Sequence, residues 1–292
     1  MSRMGGMKDR LLRYLGEKGE WMGFACDCTS SLQEAVKLRH YSSGSLQGIG
    51  GLMLLSAMLG STLKGEGCDL SAELKSFDGK EDLIANADSF IHVKAYSASI
   101  SSPVLSGPGL FIVTKDLGLK EPYQSSVLCD MGNLEKAMEE YFVQSEQIET
   151  YCKLGVLFHP DGTLHRAFGY MVQALPFADD STRKAIHDAW NKMPSLEALD
   201  FHQNSLEEIL GMLLGEKGYD TKIEKEIEWK CLCSQEKSRK TLSLLPLNEL
   251  SQIAEEGKTI HVDCGFCGKS YYFTCDDLRA ILSEKEKKAS KA

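Results

Sequence analysis

The feature that most constrains this chain lies near its end: Cys231-Leu-Cys233 and, after thirty intervening residues, Cys264-Gly-Phe-Cys267. A segment of sixty-odd residues is too small to build a self-sufficient apolar core, and chains of that size commonly need a metal or a crosslink. Four cysteines in two close pairs offer four soft donors, which zinc accepts at the corners of a tetrahedron. In the second pair, the two-residue gap sets both sulfurs on one side of a tight turn, with Gly265 and Gly268 letting backbone amides face them. In the first pair, a one-residue gap puts both sulfurs on one edge of an extended strand over 227–233. Cys231, Cys233, Cys264 and Cys267 are therefore expected to hold one structural zinc per chain as thiolates. Such sites contribute about 10–16 kcal/mol of binding free energy, so order in this segment should follow the metal. Oxidants bear on it directly, because a disulfide sulfur is a poor ligand and a close pair such as Cys264 and Cys267 can form one.

The chain contains ten cysteines, and their meaning depends on the compartment. Residues 1–17 include basic side chains but no apolar run behind them, which argues against a secretory signal. Asp9 and Glu17 argue against a mitochondrial presequence. The expectation is a soluble cytoplasmic protein, where clustered thiols bind metal or do redox work rather than form permanent disulfides. Residues 41–63 contain no charge, but the apolar part, 49–63, is shorter than the ~18–20 residues of a membrane span. It reads as a buried helix, with no membrane partner. Lysine and arginine number 33 against 42 aspartates and glutamates, a net charge of −9 that repels phosphate backbones.

Three zones follow along the chain: a core domain over 1–178, a helical linker over 179–229 and a zinc domain over 230–292. In the first, helices are expected over 8–17, 32–39, 45–63 and 133–147. Strands are expected over 23–28, 90–96, 110–113, 126–128, 156–158 and 164–173. The sequence HPDG at 159–162 reads as a hairpin turn, with Asp161–Gly162 left-handed. No regular strand–helix alternation runs through the zone, so the fold class is α+β with a largely antiparallel sheet. The second zone is polar. One helix covers 181–192, and another starts at Ser205 with a Ser205/Glu208 capping box and an apolar face of Leu206, Ile209, Leu210 and Leu213. From 196 to 230 nine acids face four bases, so self-repulsion and a modest apolar face suit a segment that folds only by docking. In the third zone a helix is expected from Pro246 and Asn248 to 256–257. A hairpin follows at 262–263 and 270–273, and Thr274 and Asp277 cap a last helix that runs to Ser283.

The residues resemble a known family at this point. The Cys-x-Cys…Cys-x-x-Cys-Gly-Lys ending is similar to that of the redox-regulated heat-shock holdases, the thirty-three-kilodalton chaperonin family. TKDLGLKEPYQ (114–124), YFVQSEQIET (141–150), LGVLFHPDG (154–162) and GYMVQALP (169–176) resemble that family's core motifs in the same order. Only 68–106 lacks the glycine-rich pattern of the family. The resemblance implies an ATP-independent chaperone, not an enzyme, that is inactive while reduced and zinc-bound. It implies disulfides Cys231–Cys233 and Cys264–Cys267 under oxidative stress, release of zinc, unfolding of a metastable linker at 179–229, binding of unfolding client proteins and dimerisation of the activated form.

Other residues carry less. Cys26 and Cys28 form a second Cys-x-Cys, best read as two buried thiols at a sheet, with an auxiliary redox pair as the alternative. Cys275 reads as a bystander, and Cys68, Cys129 and Cys152 as core or surface thiols. The rival function from another class is a zinc-ribbon nucleic-acid binder. From Glu228 onward eleven bases meet ten acids, and four thiolates on zinc add net negative charge, so no basic stripe supports it. An enzyme built on His159, Asp161 and His165 is a second rival. Those residues flank a turn where polar side chains are ordinarily solvated, and no hydrolase, phosphate-loop or dinucleotide motif accompanies them.

Overall fold

The structure, a computed structural model, describes residues 8–98, 104–215 and 218–289; of the N-terminal stretch 1–17 weighed as a targeting signal, residues 1–7 lie outside them. The chain forms two compact units that divide between Lys230 and Cys231. The first opens with strands β1 (Arg10–Gly16) and β2 (Trp21–Asp27) and helices α1 (Thr29–Leu38) and α2 (Ser43–Gly60). Strands β3 (Asp69–Ser76), β4 (Asp82–Asp88), β5 (His92–Ser97), β6 (Pro108–Asp116) and β7 (Tyr123–Asp130) follow. Helix α3 (Leu134–Tyr141) runs through a π turn at Phe142–Glu146 into β8 (Glu149–Phe158) and β9 (Leu164–Ala174). The unit closes with α4 (Asp180–Trp190), α5 (Leu196–Phe201), α6 (Leu206–Leu214), β10 (Tyr219–Glu226) and β11 (Glu228–Trp229).

These strands make two sheets, in the orders β10-β1-β2-β9-β8 and β11-β5-β4-β3-β6-β7. All pairings are antiparallel except β11 with β5. The fold is α+β with largely antiparallel sheets. Helix α2 is apolar all round and packs against strands of both sheets, as its uncharged sequence requires. Among the described residues no helix is long and apolar enough to cross a membrane.

Three expectations need correction. Residues 10–16 are a strand, not a helix: Leu11 faces the α2 core while Leu12 and Tyr14 enter a second apolar cluster on the opposite face. A strand buried on both faces loses its period-two signature, and RLLRYLG then imitates a helical pattern. The zone 179–229 is helical only as far as Leu214; β10 then pairs along β1, whose open edge offers a ladder to any extended neighbour. In the β8–β9 turn only Gly162 is left-handed, at φ 83°, while the Asp161 carboxylate accepts the Thr163 N–H at 2.9 Å as an Asx turn. Strands β3 and β4, which the sequence reading passed over, alternate buried Leu70, Ala72, Leu74 and Leu83, Ala85, Ala87 with more exposed residues.

Helices α4–α6 lie on the outer face of the five-stranded sheet. Leu206, Ile209, Leu210, Leu213 and Leu214 of α6 are buried with Leu199 and Ile186 against Trp21, Phe168, Tyr170 and Val172. The Ser205/Glu208 capping box is present in full. Charged side chains bind the same helices to strands. Arg10 of β1 grips the Glu207 carboxylate of α6 with two hydrogen bonds of 2.9 and 2.8 Å. Arg166 of β9 donates to Asp27 at 3.0 Å and to Asp200 of α5 at 3.3 Å, and His165 meets the other Asp200 oxygen at 2.9 Å.

The second unit comprises α7 (Gln235–Leu244), α8 (Leu247–Glu255), the hairpin β12 (Ile260–Asp263) and β13 (Ser270–Phe273), and α9 (Cys275–Ala289). Its core is Leu242, Leu250, Ala254, Tyr271, Phe273, Leu278 and Ile281. Helix α7 was not anticipated, and α9 runs beyond Ser283; the Thr274/Asp277 cap is reciprocal, at 2.8 and 3.3 Å.

Candidate metal centre

Hairpin β12–β13 carries the second cysteine pair. Cys264 follows the last residue of β12, and its N–H donates to the Lys269 carbonyl at 2.9 Å. The Gly268 N–H donates back to the Cys264 carbonyl at 2.8 Å, which closes a turn around Cys267. Gly268 sits at φ 69°, a left-handed conformation that glycine adopts without steric cost. The first pair lies in irregular backbone ahead of α7, whose N-terminus is capped by the Ser234 hydroxyl accepting the Lys237 N–H at 3.1 Å. The expected strand over 227–233 is therefore confined to Glu228–Trp229.

The fold brings the four cysteines together. The sulfurs of Cys231, Cys233, Cys264 and Cys267 all lie within 4.8 Å of one another, and each residue is half-buried. Cys231 Sγ is 3.6 Å from Cys264 Sγ, and Cys233 Sγ is 3.4 Å from Cys267 Sγ. Four soft donors at this separation form a set able to hold a metal ion.

The surroundings treat the thiols unequally. Burial, together with the adjacent Cys233 and Cys264, pushes the Cys231 thiol well above its ordinary value. Burial also opposes ionisation of Cys233, but hydrogen bonds from the Tyr271 hydroxyl and the neighbouring thiols outweigh it and bring Cys233 down to about 7. Tyr271, on β13, is only 5% exposed and donates to Cys233 Sγ at 3.0 Å. Sequence reasoning missed it. The available signal was strand parity, which turns Tyr271 and Phe273 inward and leaves Tyr272 outside.

The remaining cysteines stay apart from this cluster. Cys26, on β2, and Cys28, at the start of α1, are fully buried, as expected of two thiols at a sheet. Cys68 and Cys152 are buried and Cys129 is half-buried. Cys275 opens α9 and directs its thiol toward the Lys258 carbonyl at 3.6 Å. The His159 and His165 rings stand 4.5 Å apart, but His165 is engaged with Asp200 and Asp161 with its own turn.

Comparison with known proteins places the chain in a family. A family model described as Hsp33 protein matches residues 9–274. The 33 kDa chaperonin of Clostridium botulinum strain Eklund 17B is 29% identical over 300 residues, covering 97% of this chain and 100% of that protein. The 33 kDa chaperonin of Clostridium perfringens strain SM101 is 28% identical over 298 residues, covering 96% of this chain and 93% of the other. The crystal structure of the 33 kDa chaperonin from Thermotoga maritima shares the fold, with a TM-score of 0.79 at 23% identity over 96% of this chain and 100% of that one. With the match running from β1 through the cysteine hairpin, this chain belongs to the Hsp33 family, whose members are chaperones and not enzymes.

Proposed function

We propose that this chaperone is a cytoplasmic, ATP-independent holdase whose activity is switched by oxidation of Cys231, Cys233, Cys264 and Cys267. The observation that carries the reading is the convergence of those four sulfurs within 4.8 Å in a unit whose core is seven buried residues. The donor set is all sulfur, which suits zinc, and the four cysteines would hold one ion as thiolates. Zinc bound there is redox-inert and serves to fix the four donors. Where so small a core depends on such a staple, loss of the thiolates unfolds the unit.

The redox step belongs to the protein's own sulfurs. The pairs are Cys231 with Cys233 and Cys264 with Cys267. With hydrogen peroxide, the two thiolates of a pair give up two electrons and form one S–S bond. The peroxide O–O bond breaks and, with two protons, leaves two waters. Neither sulfur would then donate as before, so the four cysteines would no longer hold an ion. The linker helices α4–α6 undock, and their apolar faces, with Trp21, Phe168, Tyr170 and Val172 beneath them, become available to unfolding client proteins. Two such exposed surfaces account for a homodimer in the activated form. The near-balance of acid and base in the C-terminal unit gives nucleic acid no purchase.

The test follows light scattering of an aggregating client and zinc release in one tube. Reduced protein should contain one zinc per chain and protect poorly, and hypochlorite, or peroxide with heat, should release zinc and switch protection on. Oxidised protein that releases zinc while the client aggregates at an unchanged rate refutes the switch.

A further inference from the structure

The four cysteines share one cluster but not one environment. The Tyr271 hydroxyl donates to Cys233 Sγ at 3.0 Å, and the ring is fixed in the small core beside Phe273. Lys269 Nζ stands 5.4 Å from the centre of the same ring, and a cation over a phenol face withdraws charge and strengthens the O–H as a donor. A sulfur lone pair engaged by a donor must be freed before it can attack an electrophile. The bond also fixes the side chain so that Sγ faces Cys267 at 3.4 Å. Groups that hold and polarise a metal-binding side chain from behind tune its chemistry without touching the metal.

We infer that Tyr271 is a positioning residue that restrains the reactivity of Cys233 selectively, acting as a brake on one of the four sulfurs. This rests on the proposed redox reading and deepens it. The restrained step is attack of the Cys233 sulfur on a peroxide oxygen. The O–O bond breaks, the sulfur becomes a sulfenic acid and hydroxide leaves. The Cys231 thiolate then displaces hydroxide from that sulfur to form the S–S bond. Loss of the Tyr271 hydroxyl lowers the barrier to the first of these events at Cys233.

The experiment uses the full-length chain, reduced and zinc-loaded, as wild type, Tyr271→Phe, Lys269→Met and the exposed-neighbour control Tyr272→Phe. Limiting iodoacetamide replaces the oxidant, and fragment-resolved mass spectrometry gives a labelling rate for each cysteine, with zinc content and circular dichroism read on the same samples. Tyr271→Phe should label Cys233 about fivefold faster, the effect of losing one hydrogen bond of ordinary net strength, with Cys264 and Cys267 within about twofold of wild type. Lys269→Met, which keeps the hydroxyl, should give about a twofold increase at Cys233 alone, and it decides the matter should Tyr271→Phe not fold. Tyr272→Phe should match wild type. Equal acceleration of all four cysteines would mean a loosened hairpin and overturns the assignment, as does an unchanged or slower Cys233. Wild-type protein without zinc overturns the metal reading and the brake together, whereas uniform labelling in zinc-loaded protein overturns the brake alone.

Discussion

The five-stranded sheet is closed on its two faces by helices of opposite character. On one side α2 contains no charged residue, and 16 of its 18 residues are buried between the two sheets. On the other side α6 buries five of nine residues and begins with Glu207 and Glu208, and its partners α4 and α5 are tied down by ion pairs at their edges. Removing α2 would open both sheets at once. Removing α4–α6 would open only one face. Burying a leucine or isoleucine is worth about 1.5–3 kcal/mol, and fixing one residue's backbone costs about 1–2 kcal/mol. A nine-residue helix with five buried side chains therefore sits near balance on its own, whereas α2 packs against strands of both sheets and could not leave without exposing the buried residues of each. The same sheet thus has one permanent cover and one cover that can be lifted at small cost.

Equivalent cavities on the two sides are the strongest way to break this comparison. Leu54→Ala in α2 should destabilise the whole first unit by about 2–5 kcal/mol, with both sheets lost in one denaturant transition. Leu210→Ala in α6 removes a side chain that is equally buried. Its effect should reach the sheets only weakly, at most about 2 kcal/mol in the global transition. It should instead appear as faster hydrogen exchange confined to 180–214. If Leu210→Ala lowers the global transition as far as Leu54→Ala does, the two covers are energetically alike and the distinction fails.

A smaller effect is expected at the helix start. Ser205 and Glu208 satisfy each other's backbone amides, and Ser205→Ala should cost about 1 kcal/mol of α6 stability. Amide exchange at Glu208 and Ile209 would report it. Unchanged exchange there would show that docking alone holds the helix.

How much of this was readable in advance follows the same division. Helix α2 was legible because an uncharged stretch from 41 to 63 has few alternatives to complete burial. The clustering of the four cysteines was legible because the spacing within each pair is local, and so was the Ser205/Glu208 cap. What escaped depends on partners far away in sequence. Strand β1 hid its alternation because Leu11 and Leu12 are buried in different clusters on opposite faces. Strand β10 looked like a continuation of an acidic helix until the open edge of β1 claimed it. The clasp from Arg10 to Glu207 spans 197 residues, and nothing local in either segment announces it. Tyr271 and Tyr272 are adjacent tyrosines, and only the facing strand and the sulfur behind it tell them apart.

That clasp provides the finest test, through pH. The hydrogen bond from Arg10 is the main influence holding the Glu207 carboxyl below its ordinary value, with Lys222 adding to it at 3.8 Å. Arg10 is shared with Glu224 at 3.2 Å, so one cation serves two carboxylates. A folded-state value below the unfolded one means the stabilisation is fully present above the unfolded value, about 4.3, and is lost as pH falls through the folded value. Both side chains of the pair are about one-third exposed, at 32% and 36%, so the effect is screened to about 0.5 kcal/mol. Exchange protection of α6 should accordingly hold steady from about pH 8 to pH 5.5 and decline below about pH 4.5. In Glu207→Gln it should start lower by that amount at neutral pH and lack this acid-dependent component. Salt at about 1 M should shrink the gap between the two proteins, because a clasp at the surface is open to counter-ions where a buried helix is not. A gap that survives both acid and salt would show that Glu207 holds α6 by packing rather than by charge, and the liftable cover would then differ from α2 only in area.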